Sequence, residues 1–136
     1  MAADPFMVFI NRIVSYKNDW LQLVSNVITA KKEIERYCEA EKNNRFYELD
    51  SKTIELVQQL RKTFVNFYLI FTELRVLAEE LRMEKEFLEK LEETRKEILA
   101  LSEDLSDTSK VLSAHEKLYS ALTMLELRIA RPPLVG

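Results

Sequence analysis

The side chains best suited to chemistry are sparse in this sequence. It holds one histidine, His115, and one cysteine, Cys38, among 136 residues. A helical histidine becomes a metal ligand when carboxylates share its face, and carboxylate-bridged metal bundles draw Glu-x-x-His from two helices. Leu112 stands where that glutamate would be, three residues before His115. One Cys and one His cannot complete a zinc tetrad, and one Cys cannot close an internal disulfide. Cys38 lies among Glu35, Glu39 and Glu41, whose negative charge disfavours the thiolate that nucleophilic chemistry needs. Both residues read as packing or structural positions. The 23 acidic side chains are spread along the chain, so closeness in sequence singles out no general acid–base pair. The basic pairs Lys31-Lys32 and Arg61-Lys62 read as solvated faces. The expectation is a protein without catalytic residues, cofactor or metal.

Composition narrows the class further. The only glycine is the last residue, Gly136, which excludes a glycine-rich phosphate loop, a type I′ hairpin and a nucleophile elbow. A formal charge of −3 offers no general attraction to nucleic acid, which is not expected as a partner. With 47% hydrophobic and 32% charged residues and almost no glycine, the chain reads as all-α. The apolar run Phe6 to Ile10 is too short for a membrane span or a signal-peptide core, and a lone cysteine suits a reducing compartment. A cytoplasmic location is expected, with the nucleus as the alternative. Membrane-surface binding ranks last, because the polar face of the first helix carries few Lys and Arg.

Three helices follow from period and phase. Asp4-Pro5 is a start signal, and Phe9, Ile13, Tyr16, Trp20, Leu23, Val27, Ala30, Ile34 and Tyr37 then step by fours and threes, all apolar. This predicts helix 1 over about 5–42, closed by Asn43-Asn44. A second phase from Phe46 through Leu49, Thr53, Leu56, Leu60, Thr63, Phe67, Ile70, Leu74, Leu77, Leu81 and onward to Leu105 meets no Gly or Pro, predicting one helix over about 45–103. The polar run Ser102 to Ser109 reads as a turn. Val111, His115, Leu118, Leu122, Leu125 and Ile129 then define helix 3, about 109–130, followed by Pro132-Pro133 and a short tail, 131–136. The lengths suggest one helical domain over 1–136, an elongated antiparallel hairpin or coiled coil. A long central helix would be flanked by one long helix at its first part and a shorter one at its far end. Trp20 should meet Phe64 or Phe67.

Such a rod leaves apolar surface over. Between 64 and 71 the only polar residue is Asn66, so side chains point all round the axis, while helix 1 covers one side. With Phe67, Ile70 and Leu74 assigned to helix 1, the residues Phe64, Val65, Tyr68, Leu69 and Phe71 are the expected partner-binding surface. The function expected is therefore a non-enzymatic structural subunit. It would assemble through helix–helix contacts with other helical or coiled-coil chains, identical or different, in a scaffold, tether or cytoskeletal complex. The alternative is a closed-bundle regulatory module that holds a partner's amphipathic helix in a groove.

Overall fold

Seams of this length end only where the backbone finds a way to turn, and the turns decide which seams meet. The computed structural model describes residues 5–130, and every regular element among them is helical. The α-helices are α1 (Pro5–Thr29), α2 (Lys31–Lys42), α3 (Ser51–Glu80), α4 (Lys85–Glu103) and α5 (Ser109–Ala130), with a 3₁₀ turn at Phe46–Glu48. Asp4 and the tail 131–136 lie outside the described residues.

The span expected for helix 1 is α1 followed by α2. Regular geometry lapses at Ala30, where ψ is 15°, yet Ala30 N still donates to Asn26 O and Ile34 N to Ala30 O, each at 2.9 Å. α2 closes in a Schellman motif. Asn44 takes φ 53°, Arg45 N reaches back to Ala40 O at 2.8 Å, and two orphan carbonyls are satisfied. Asp50 then caps α3, its carboxylate accepting from Thr53 N at 2.8 Å.

The expected helix over 45–103 is two helices, and this corrects both the three-helix count and the rod. α3 ends in a second Schellman motif at Leu81 to Glu84, where Arg82 adopts φ 56°. Met83 N donates to Ala78 O and Arg82 N to Glu79 O, both at 3.0 Å. α4 then runs back along α3, with Arg75 Nη1 2.8 Å from Glu92 and Arg95 Nη1 3.1 Å from Thr72. The physical reason is the surplus apolar girth. A straight helix would leave Phe64 and Phe71 facing water, at a cost of about 1.5–3 kcal/mol each, whereas the hairpin buries both. Short connections make successive helices antiparallel, and α5 closes the set by packing on both α4 and α1. The result is a bundle of four antiparallel legs, α1–α2, α3, α4 and α5, around one contiguous core.

The seams that fill this core are regular. On α3 the buried residues are Thr53, Val57, Leu60, Phe64, Phe67, Phe71, Leu74 and Ala78, alternating steps of four and three. α5 buries Val111, Leu118, Leu122, Leu125 and Ile129 as expected, with His115 half-buried. Two arginines tie the helix ends together. Arg61 makes two 3.0 Å bonds to the Glu41 carboxylate and a third to the Glu103 carbonyl, joining α2, α3 and the end of α4. Arg128 donates to the Leu81 carbonyl at 3.3 Å, so α5 pins the α3–α4 turn.

Candidate functional site

The most chemically loaded point in the interior is where α1 meets α5. Trp20 is fully buried, and its ring stands edge-on to Phe64 and Phe67 with centroids 6.0 and 5.2 Å away, at the level expected from the sequence. A buried indole N–H needs an acceptor, and His115 Nδ1 supplies it at 2.8 Å. Because the indole nitrogen only donates, Nδ1 must carry its lone pair, which puts the ring proton on Nε2. His115 is thus committed to holding α5 against α1. Beside it, Lys17 Nζ lies 4.7 Å from the Tyr119 ring centroid and 3.1 Å from Glu126 Oε2, a second polar tie between the same helices. Among the described residues no cluster of His, Cys, Asp and Glu could hold a metal ion.

Cys38 is half-buried, and burial pushes its thiol pKa up, opposed by Arg61 and reinforced by Asp104 and Glu41. That is the opposite of what a nucleophilic cysteine requires. The sequence pointed to acidic neighbours; the larger cause is desolvation.

The five residues expected to form a partner-binding surface are not one surface. Phe64 and Phe71 are fully buried in the core of this chain, so they present nothing to a partner. Tyr68 is half-buried under the Arg95 guanidinium, 5.0 Å from its ring centroid. Only Val65 and Leu69 face outward among the five, joined by Val76 at helical spacing. Around them the α3–α4 face is ionic. Arg95 makes a two-point contact with Glu92 at 2.7 and 3.1 Å, Arg75 binds the same carboxylate, and Glu79 and Thr72 complete the network. The Arg95 hydrogen bond, then the Arg95 and Arg75 charges, hold the Glu92 carboxyl below the usual range, while Glu92 raises Arg95.

Two clefts border α5. One of about 490 Å³ lies at the α4–α5 connection, lined by Glu97, Glu103, Asp104, Asp107 and Lys110 among others. Its aspartates already have partners: Asp104 accepts from Ser106 N and Asp107 from both the Ser109 hydroxyl and N, and these serines, by side chain first and backbone second, lower both carboxyl pKa values and shape the turn. The other, about 390 Å³, is a groove between α4 and α5 over Phe87, Leu91, Ala121 and Met124, edged by Lys90, Glu93, Glu116 and Lys117.

The sequence carries a second apolar line on helix 1 beside the main seam, Phe6, Ile10, Leu21, Val24 and Ile28; Val24 is buried and Ile10 half-buried, while Leu21 and Ile28 are exposed on the outer face of α1. Met7, Val14, Leu21 and Ile28 recur every seven residues and are 51, 40, 42 and 58% exposed. Seven-residue spacing keeps them in one stripe that drifts only about 20° per step. The exposed residues that border the stripe on its outer side, Asn11, Ser15, Asn18, Gln22 and Ser25, are uncharged, while the exposed Arg12 and Asp19 lie about 160° round the helix from Val14 and Leu21. The whole of α1 carries three charged residues, Arg12, Lys17 and Asp19, and Lys17 is neutralised by Glu126. Met7 and Val14, which complete the exposed stripe, lie off that second line.

Among the described residues no helix is long and apolar enough to cross a membrane. Comparison with protein-family models, with curated proteins and with solved structures finds no match to this chain.

Proposed function

We propose that this chain is a non-enzymatic helical interaction module, a subunit that joins an assembly by helix-on-helix contact through the outer face of α1. The observation that carries this reading is the absence of charge from that face in a protein one-third charged. Solvated helix faces in this chain are laced with Lys, Arg, Asp and Glu, whereas the buried centre of a protein interface is depleted of them and enriched in apolar side chains. A regular apolar stripe with amide and hydroxyl neighbours fits a surface that spends its working life covered. Scaffold or tether roles suit such a module, and a reducing compartment suits its lone, half-buried cysteine.

The test is hydrogen exchange on the chain, in its native cell extract and purified, each compared with the Ile28→Lys variant. Protection of the α1 amides that Ile28→Lys removes is the expected result. Equal exchange of wild type and Ile28→Lys in both settings would overturn the reading.

A second reading, a module that seats a partner's amphipathic helix between α4 and α5, is favoured by the groove over Phe87 and Leu91 and the exposed Met124 beside it. The same exchange experiment distinguishes the two, because protection would then appear along α4 and α5 and vanish with Met124→Lys.

A further inference from the structure

We infer that the occupant of the α1 face is a second copy of the same face, packed antiparallel about a two-fold axis that passes between Lys17 and Asn18. This deepens the reading of α1 as an association surface and rests on it.

Three observations select a second copy. The first is charge. An uncharged stripe is matched by another uncharged stripe, and charged side chains driven against it would be desolvated without partners. Elsewhere in this chain the exposed apolar residues of α3, Val65, Leu69 and Val76, stand among ion pairs such as Arg75–Glu92, and α4 adds Lys85–Glu89, so a head-to-tail contact would set charge against apolar surface. The α1 face is complementary to itself.

The second is spacing. A two-fold contact requires that residue i meet j while j meets i. Met7, Val14, Leu21 and Ile28 satisfy this when Met7 faces Ile28 of the second copy and Val14 faces Leu21, each pair being of combined size similar to the other. The register sets Asn18 opposite Lys17 of the second copy and one residue from its own counterpart, where two amides can bond reciprocally.

The third is extent. α1 has 25 residues, a length of about 37 Å. Val14 and Leu21 flank Lys17, the residue that reaches α5, at three and four residues' distance, so the stripe lies toward α5. There Leu112 and Leu127 are also exposed. Two adjacent helices about 10 Å apart give a footprint of roughly 700 Å², close to the roughly 800 Å² per partner of a standard stable interface.

Sedimentation equilibrium on the full chain is the primary test. A reversible dimer at micromolar concentration is expected, and Leu21→Glu should weaken it by about a hundredfold or more while leaving the helical circular-dichroism signal unchanged, because position 21 faces outward in the monomer. A second variant set reads orientation without disturbing packing. In a Cys38→Ser background, Asn18→Cys should form a disulfide-linked dimer on mild oxidation, whereas Thr29→Cys should not, since antiparallel chains set Thr29 far from its counterpart. Cross-linking of both positions would mean parallel chains and would overturn the inference. So would a dimer that survives Leu21→Glu, because the contact would then lie elsewhere. A wild-type chain that stays monomeric at all concentrations also overturns it. In that case, α1 protection in extract that Ile28→Lys removes would leave the association reading standing with a different partner, and no such protection would remove both.

Discussion

The outer faces of α1 and α4 are built on opposite principles, although each belongs to a helix with one buried seam. α4 has 19 residues, ten of them charged, and its exposed side chains are tied across to α3 and α5 by Glu92 with Arg75 and by Glu97 with Lys117. α1 has 25 residues and three charges, of which one is paired. Helix formation does not require this difference, since uncharged and charged helices fold equally well once an inner face is buried. What differs is the medium the outer face must tolerate. Ion pairs hold a helix surface soluble in water at little cost or gain, about 0–1 kcal/mol per pair, while an apolar line with amide neighbours gains stability only when water leaves. The lesson is that burial inside the monomer explains the inner seams alone, and the outer faces report on what each side of the bundle meets.

The strongest way to test this contrast uses two adjacent residues of α1. Trp20→Ala should cost about 3–5 kcal/mol in urea unfolding, because the indole is fully buried against Phe64 and Phe67. Leu21→Ala, one position along and 42% exposed, should change the unfolding of the dissociated chain by less than about 0.5 kcal/mol. Comparable costs at both positions would show that the stripe is part of the monomer core and remove the contrast.

The next effect isolates the polar tie behind the stripe. His115→Leu removes the acceptor of the Trp20 N–H and leaves a donor buried without a partner, a loss of about 1–3 kcal/mol. His115→Gln, whose side-chain oxygen can accept the same bond, should recover part of it. Equal destabilisation by both variants would point to packing instead of the hydrogen bond.

Much of this architecture was legible in the sequence, and the part that was not has one cause. The α1–α2 seam from Ile13 to Tyr37 and the α5 seam from Val111 to Ile129 follow the expected positions, because every step of four and three there lands on one clear apolar line; Phe9 is exposed and Tyr16 and His115 are half-buried. α3 is apolar nearly all round between 64 and 71, so two phases compete there. The phase through Leu56, Thr63, Ile70 and Leu77 shares Thr53, Leu60, Phe67 and Leu74 with the true seam but misses Val57, Phe64, Phe71 and Ala78. That single-position slip moved Phe64 and Phe71 from the core to an imagined interface. It also hid the end of α3, since the true seam stops at Ala78 and a fresh one starts at Phe87, a gap of nine residues that no unbroken heptad allows. Half of the outer stripe of α1, Leu21 and Ile28, was visible as part of a second apolar line, but its meaning depended on knowing which side α5 covers.

On the charged side of the comparison the expected effects are small and respond to pH and salt. Glu92→Gln should cost about 0.2–1 kcal/mol, less at high salt, since its partners Arg75 and Arg95 are partly solvated. The pH dependence has a definite sign. Arg95 and Arg75 hold the Glu92 carboxyl below the ordinary range in the folded chain, so its contribution is full above the unfolded-state value and is lost as pH falls through the lowered one. Chemical unfolding compared at neutral and strongly acidic pH should therefore show the gap between wild type and Glu92→Gln closing in acid. A gap that widens in acid would contradict the direction.

The smallest effect contrasts the two Schellman turns, one of which the sequence announces and one of which it does not. Both place a non-glycine residue in the left-handed region, Asn44 at φ 53° and Arg82 at φ 56°, and both close with the same pair of backbone bonds to the preceding helix. The strain is unequal. Asparagine enters this region comparatively easily because its short amide can bond locally. Arginine has no such compensation, and the left-handed conformation costs an ordinary side chain about 1–2 kcal/mol. Glycine would relieve that strain but lose about 0.5–1 kcal/mol to the greater freedom of the unfolded chain. Arg82→Gly should therefore stabilise the protein by about 0.5 kcal/mol, with Asn44→Gly near neutral, as read from the shift in urea midpoint at constant slope. If Arg82→Gly destabilises by more than Asn44→Gly, the Arg82 side chain holds the α3–α4 hairpin by a contact of its own, and the turn that folds α4 back onto α3 is sustained by arginine chemistry as well as by the burial it permits.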